Sequence, residues 1–267
     1  MMSATSIARI EASPVWAARR VEIFDLPEGR VLVKGQRAQR SPWPHRILNW
    51  FARLAGVPYL KAVPVHGGAR SQTIELQRLQ ALAQAGLPVP KVLHVAERYF
   101  VMSYLGPTDL AVTLREQGLR AFGLWSAALE QLLEVHARGQ YLSQCFARNM
   151  IVSQKFDGLI DFEDDPLEVM SLVEAQSRDW LIFLQSSLWN LGAPPAVLDR
   201  ALRDVLRRES PAVRATLRHA ARRLAWLRWL PGNRRVWGKD FVSLQAVADA
   251  LYRHHLPGAT GASHGDT

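Results

Sequence analysis

Residues 142–152 read Leu142-Ser143-Gln144-Cys145-Phe146-Ala147-Arg148-Asn149-Met150-Ile151-Val152, and after a turn Gly158-Leu159-Ile160-Asp161-Phe162-Glu163-Asp164 follows. A loop ends in Asn149 just before one short β-strand. A tight turn leads to a second strand, which delivers Asp161 followed by Phe162. Asn149 and Asp161 thus stand at adjacent strand ends. Two such oxygen side chains suit a phosphate-bound Mg²⁺, which takes hard oxygen ligands in nearly octahedral array.

Outward from this module the pattern changes character on its two sides. Val21–Phe24 and Arg30–Lys34 alternate around Leu26-Pro27-Glu28-Gly29, which predicts a β-hairpin. Residues 35–70 are basic and broken by prolines and glycines, with an amphipathic piece at Ile47–Leu54. A helix is predicted from Arg70 to Ala85, stopped by Gly86 and Pro88, and two further strands at Lys91–Val95 and Tyr99–Tyr104. Beyond Leu105-Gly106-Pro107 the periodicity is helical, over Ala121–Arg138, Leu172–Asn190, Pro195–Arg208, Pro211–Leu230 and Asp240–His255. Four segments follow: an N-terminal extension (1–20), a strand-rich part with one main helix (21–105), a helical part (106–256), and a Gly/Ala/Ser-rich tail (257–267) read as disordered. The expected class is α+β.

The chain has 267 residues, enough for one large domain or two lobes around a cleft. With 48% hydrophobic and 21% charged residues it is ordinary globular material. Cys145 is the single cysteine, which excludes an internal disulfide framework and points to a reducing cytosol. The first twenty residues hold no apolar run of secretory type, and the best apolar run, Trp180–Leu184, is too short to cross a membrane. A cytoplasmic protein is expected.

The net charge of +9 calls for an acidic partner. The excess is local. Between Arg200 and Lys239 twelve cations face only Asp204 and Glu209, with Trp226, Trp229 and Trp237 interleaved. Anionic lipid, a phosphorylated glycolipid and nucleic acid all fit, as does a solvated helical face whose tryptophans pack inward.

Two residues of the strand-rich part complete a set. Lys34 ends the strand Val31-Leu32-Val33-Lys34, where a lysine can neutralise nucleotide phosphates if a carboxylate holds its stem. Glu75, Leu79 and Leu82 fall at i, i+4 and i+7, so Glu75 lies on the buried face of its helix and needs a cation. Lys, Glu, Asn and Asp therefore appear in the order a bilobal kinase requires. Asp179, early in the next helix, stands where kinase-like folds place an acid that hydrogen-bonds the catalytic loop.

In these residues the chain resembles the lipopolysaccharide inner-core (Kdo and heptose) kinases of the protein-kinase-like superfamily. The resemblance covers residues 20–190. Its most specific part is Leu48–Leu60, "LNWFARLAGVPYL", continued by Arg70, Glu75 and "AQAGLPVPKVL" from Ala83 to Leu93. His136-Ala137-Arg138-Gly139 is similar to the family's HxxG, and the register runs ungapped to Asn149. The resemblance implies a bilobal kinase-like fold, with ATP and Mg²⁺ held by Lys34, Glu75, Asn149 and Asp161. It also implies a sugar of a cell-envelope glycolipid as acceptor, with the basic segment 200–239 against the inner membrane.

Two departures stand out. The family's H-G-D-L-x-x-x-N becomes Leu142–Asn149, with Gln144 at the position of the catalytic aspartate. A glutamine amide can orient a hydroxyl but cannot take up its proton. Only Gly29 stands where a glycine-rich phosphate loop would sit. A pseudokinase that binds nucleotide or a partner without phosphoryl transfer is the alternative, and a nucleic-acid binder built on the Arg/Trp segment is a third reading. Glu163, Asp164 and Asp165 read as an exposed acidic turn, with a stand-in acid as the other option. His136 is expected to be structural and Cys145 to pack in the loop.

Overall fold

The computed structural model describes residues 2–36, 61, 63, 64, 66–229 and 245–254. The predicted piece at Ile47–Leu54, the resemblance stretch Leu48–Leu60, Trp237, Lys239 and the tail 257–267 lie outside the described residues.

Two short helices open the chain, α1 (Ala4–Glu11) and α2 (Val15–Arg19). The sequence reading assigned residues 1–20 no structure, because neither helix is long enough to show a period. Tertiary contacts hold them. Ser3 caps α1 by accepting from Ser6 N, and Glu28 accepts from Ser3 N and Ser6 Oγ at 2.8 Å each. Glu22 accepts from Trp16 N at 3.1 Å and Ser13 Oγ at 2.8 Å.

Strands β1 (Val21–Leu26) and β2 (Gly29–Gly35) form the predicted hairpin. Helix α3 (Gly68–Gln84) follows, then β3 (Val92–Val95) and β4 (Tyr99–Ser103). The strands make one antiparallel sheet in the order β1-β2-β4-β3. Strand alternation sorts its two faces. Phe24, Leu26, Val31, Val33, Tyr99 and Val101 pack with Ile10 and Trp16 under the N-terminal helices. Phe100 and Met102 turn the other way, towards Leu79 and Leu82 of α3. Both faces are therefore covered, one by an extension that the sequence pattern left blank.

The second half is helical. It comprises α4 (Leu110–Gln117, capped by Asp109), α5 (Phe122–Ala137), α6 (Leu172–Leu191), α7 (Pro195–Leu206) and α8 (Pro211–Leu224); residues 245–254 are helical as well. Between α5 and α6 lies a two-stranded hairpin, β5 (Met150–Val152) and β6 (Phe156–Leu159). Ser171 and Glu174 form a reciprocal capping box at the start of α6. Fully buried Trp125 and Trp180 anchor the helical core, and each indole N–H has a partner, Ser187 Oγ at 3.0 Å and Glu209 Oε2 at 2.8 Å.

The small hairpin is sewn to the strand-rich half beside Pro88. Leu159 N donates to Pro88 O at 2.9 Å. A Cβ on Gly158 would stand 2.8 Å from Pro88 O and 2.7 Å from Leu105 Cδ1, so only glycine permits this approach. Gly158→Ala is expected to lower stability by about 1–3 kcal/mol through overpacking. The test is its thermal melting against wild type, with Gly123→Ala, where a Cβ meets nothing within 4 Å, as the neutral control.

Candidate functional site

Lys34 reaches the cleft because β2 alternates. Val31 and Val33 face the N-terminal helices, so Leu32 and Lys34 face the other way. Lys34 Nζ lies 2.7 Å from Glu75 Oε1, 3.0 Å from Asp161 Oδ1 and 2.8 Å from Glu163 Oε1. An ammonium has three protons to donate, and here three carboxylates from α3 and the segment after β6 surround it. The lysine, Glu75 and Glu163 are buried. Burial opposes the Lys34 charge, but the three carboxylates outweigh it and raise its pKa above the ordinary 10.5. Burial likewise opposes ionisation of Glu163, yet Lys34 and Arg20 hold its pKa down at about 2.

Asp161 follows β6 in a left-handed backbone conformation (φ 71°), uncommon for a residue with a Cβ. Ile160 N donates to Asn149 O at 2.9 Å, which ties the loop end to the Asp161 strand. Asn149 Nδ2 donates to the Gln144 carbonyl at 2.9 Å, leaving the amide oxygen as the acceptor end of that side chain. The structure thus brings Lys34, Glu75, Asn149 and Asp161 to one place.

Between them opens a cavity of about 280 Å³. Leu32, Met102, Ile151 and Ile160 give it an apolar wall, and Arg20, Lys34, Asn149, Asp161 and Glu163 give it a charged end. Such a space can take a ligand with an apolar body and a charged end. Among the described residues no group of three or more His, Cys, Asp or Glu is arranged to hold a metal ion. Asn149 and Asp161 supply two hard oxygen donors, so a Mg²⁺ held there needs phosphate oxygens and water for the rest of its shell.

Gln144 stands at the edge of this centre, half-buried, and its Nε2 donates to Asp164 Oδ2 at 2.8 Å. Here the expectation of an exposed acidic turn is corrected. Glu163 and Asp164 are buried, because one is a counter-ion of Lys34 and Arg20 and the other receives the Gln144 amide. Half-buried Asp165 accepts from Tyr141 Oη at 2.7 Å and from Leu167 N at 2.9 Å. Gly29 is where the hairpin reading puts it, at the β1–β2 turn (φ 117°), five residues of strand from Lys34, roughly 16 Å at ~3.3 Å per residue. Gly29 is a turn residue and cannot reach a phosphate held near Lys34.

The loop that carries Gln144 hangs on α6. Asp179 accepts from Leu142 N at 2.7 Å, Ser186 Oγ from Ala147 N at 2.9 Å, and Gln176 Nε2 donates to Gln140 O at 2.9 Å. Behind Asp179 lies His136, buried, 2.7 Å from Glu209 and 3.5 Å from Asp179. Burial opposes its charge, but the two carboxylates outweigh that and raise its pKa above 6.5. His136 is walled off from the cavity, as a structural residue would be. Burial pushes the Cys145 thiol well above its usual range, so it is no thiolate nucleophile.

One residue of the site, Arg20, and two that support it from behind, Arg78 and Glu209, escaped sequence reasoning. Arg20 ends α2 and pairs with Glu163 across the cleft. Arg78 on α3 donates to Tyr141 O at 2.8 Å and lies 3.7 Å over the Tyr141 ring. Glu209, read as one of two anions in a basic surface, is a buried partner of His136 and Trp180. Nothing in the local sequence marks Arg20 or Glu209. Arg78 was legible in hindsight, one helical turn beyond Glu75.

The basic segment is corrected in part too. Trp226 is 54% exposed and Trp229 85%, so these two do not pack inward. Exposed Arg218 and Arg222 lie one turn apart on α8, and the two tryptophans follow one 3₁₀ turn apart in Ala225–Trp229. A wider groove of about 500 Å³ lies between α5 and α7, with Glu130, Arg200 and Asp204 among its mostly apolar lining. It lacks the buried, convergent polar groups of the Lys34 cavity.

No protein-family model matches the chain, and no curated protein matches it. No helix among the described residues is long and apolar enough to cross a membrane.

The charges of the site have opposite pH signatures. Glu163, its pKa lowered, stabilises the fold above its ordinary 4.5 and loses that contribution as pH falls towards about 2. Glu163→Gln is expected to flatten the acid limb of melting temperature against pH between 4.5 and 2.5. His136, its pKa raised, contributes fully below 6.5 and progressively less as pH rises through its folded-state value. The gap in melting temperature between wild type and His136→Gln is therefore expected to narrow on the alkaline side.

Proposed function

We propose that the chain is a bilobal, protein-kinase-like phosphotransferase of the lipopolysaccharide inner-core kinase type, using ATP and Mg²⁺ to phosphorylate a sugar hydroxyl of a cell-envelope glycolipid. One observation carries this reading. Lys34 Nζ stands 2.7 Å from a helix carboxylate, Glu75, and 3.0 Å from Asp161, with Asn149 on the same cavity. A lysine positioned by one acid, with an amide and a second acid beside it, is the equipment phosphoryl transfer uses. The kinase-like resemblance of residues 20–190 supports the same assignment.

In the reaction the acceptor oxygen attacks the γ-phosphorus, the bond from that phosphorus to the bridging oxygen breaks, and ADP leaves. Lys34 neutralises phosphate charge, and Glu75 keeps its flexible stem in place. Since Lys34 already touches three carboxylates, an incoming phosphate takes the place of one of them. Glu163 is the natural one to yield, because Arg20 remains as its partner. A Mg²⁺ held by Asn149 and Asp161 supplies charge neutralisation at the triphosphate when bound. The Gln144 amide, fixed by Asp164, orients the acceptor hydroxyl, whose proton passes to water or to a phosphate oxygen. The transition state is loose, so positioning and electrostatics carry most of the catalysis. Loss of a general base costs on the order of 10²–10⁴-fold. The Arg218/Arg222/Trp226/Trp229 group would seat the protein on an anionic lipid surface at the cytoplasmic face, with aromatic rings at headgroup level.

One observation favours a pseudokinase as the second reading. The Gln144 amide nitrogen is committed to buried Asp164, so the position of the base is built as a structural joint.

Two experiments separate these readings. ATP with Mg²⁺ is expected to raise the melting temperature of wild type, the stabilisation reaching about 2.7 kcal/mol at a hundredfold excess over Kd; Asp161→Ala should abolish the metal-dependent part. Transfer of radiolabel from ATP to purified lipopolysaccharide core then decides for the enzyme, and binding without transfer decides for the pseudokinase. Gln144→Asp alone should not raise the transfer rate. Its shorter side chain loses the amide donor that Asp164 now accepts from, and the two carboxylates then facing each other repel, which raises the pKa of one of them. Gln144→Asp combined with Asp164→Asn is expected to raise it about a hundredfold.

A further inference from the structure

We infer that Arg20 is a phosphate-binding residue of the cleft, a side-chain substitute for the backbone N–H cradle that a glycine-rich loop would provide. The inference rests on the nucleotide reading above and adds a residue to it.

A triphosphate needs cations or N–H donors around it. Two cationic side chains line the cavity, Lys34 and Arg20. Lys34 has three protons and three carboxylates within 3.0 Å, so it offers little until one of them is displaced. Arg20 carries five N–H donors in a planar fork that matches a phosphate edge. Its recorded contacts are the carboxylate of Glu163 and, at 3.3 Å, the carbonyl of Gly35.

The backbone around Arg20 is fixed. It sits at φ 71°, and Arg20 and Asp161 are the two non-glycine residues with positive φ among those described; both border the same cavity. Glycine would hold that conformation with less strain, so the position keeps an arginine at an energetic disadvantage. Gly35 N donates to Arg20 O at 2.7 Å, and a Cβ on Gly35 would meet the Trp16 ring at 3.2 Å. Trp16 is pinned in turn, its Nε1 donating to Ile10 O at 2.8 Å. The N-terminal helices thus deliver Arg20 to the cavity mouth, whereas the one nearby hairpin turn, at Gly29, lies at the wrong end of its strand.

Glu163 completes the device. It binds both Lys34 and Arg20, so it holds the two cations together before phosphate arrives; when phosphate enters, Lys34 exchanges Glu163 for it, and Arg20 keeps Glu163 on one edge of its fork while its other N–H donors meet the phosphate.

The test is equilibrium binding of Mg·ATP and of adenosine to the full chain, as wild type, Arg20→Ala, Arg20→Lys and Glu163→Gln. Arg20→Ala should weaken ATP about ten- to a hundredfold, the range for hydrogen bonds to charged groups, and leave adenosine within about twofold. Arg20→Lys, which keeps the charge without the fork and guards against misfolding of the alanine variant, should fall between them for ATP. Glu163→Gln should tighten ATP and leave adenosine unchanged. Equal losses for ATP and adenosine in both Arg20 variants, or ATP binding indifferent to Arg20, overturn this inference alone. A wild type that binds no ATP overturns the nucleotide reading beneath it.

Discussion

A buried ammonium surrounded by three carboxylates is the constraint on which the rest of this structure turns. Lys34 comes from a sheet, Glu75 from a helix and Asp161 and Glu163 from the segment after a second hairpin. Burying a lone charge is costly, and burying several of both signs is tolerable only when each is matched by geometry. The four groups therefore fix the relative placement of three chain segments. Such a cluster is weak evidence for stability, since apolar side chains of equal volume would often serve as well. Gathered at the wall of a cavity, it is the arrangement on which the nucleotide proposal rests.

A second polar assembly supports the first from behind. His136, Asp179, Glu209 and Trp180 form a buried network that ends in a hydrogen bond to Leu142 N, the first residue of the loop bearing Gln144 and Asn149. Gln176, Asp179 and Ser186 project from one helix to hold that loop along its length. The loop contains little regular structure, so its backbone groups find partners among these side chains. Asn149 owes its position at the cavity to a scaffold that never touches the cavity.

The elements that were easy to read were those with a clear local period. Helix α6, predicted as Leu172–Asn190, runs Leu172–Leu191, and the hairpin at Val21–Lys34 falls where alternation and turn residues put it. Glu75 was legible for a related reason, because a charged residue on a face that must be buried announces that it needs a partner, and Lys34 at the end of its strand was the cation to match it. The opposite held for α1 and α2. Eight and five residues are too few to display a stripe, and their order comes from Glu22, Glu28 and the aromatic packing of Trp16. The acidic run Glu163–Asp165 misled because consecutive charges ordinarily mean solvent. Here each finds a separate partner, and two are buried.

The amino-acid sequence by itself determined the α+β class, the order of the elements and the identity of the charged residues that meet around Lys34, since period, capping and residue type are local properties. Only the tertiary structure decided that Arg20 reaches Glu163, that Gly29 lies at the far end of its strand from Lys34, that Glu209 is internal, and that Gln144 is tied to Asp164. These facts depend on which charges meet after the chain has closed on itself. A single strand of sequence holds no record of that, because the free energy of a buried charge is set by neighbours distant along the chain.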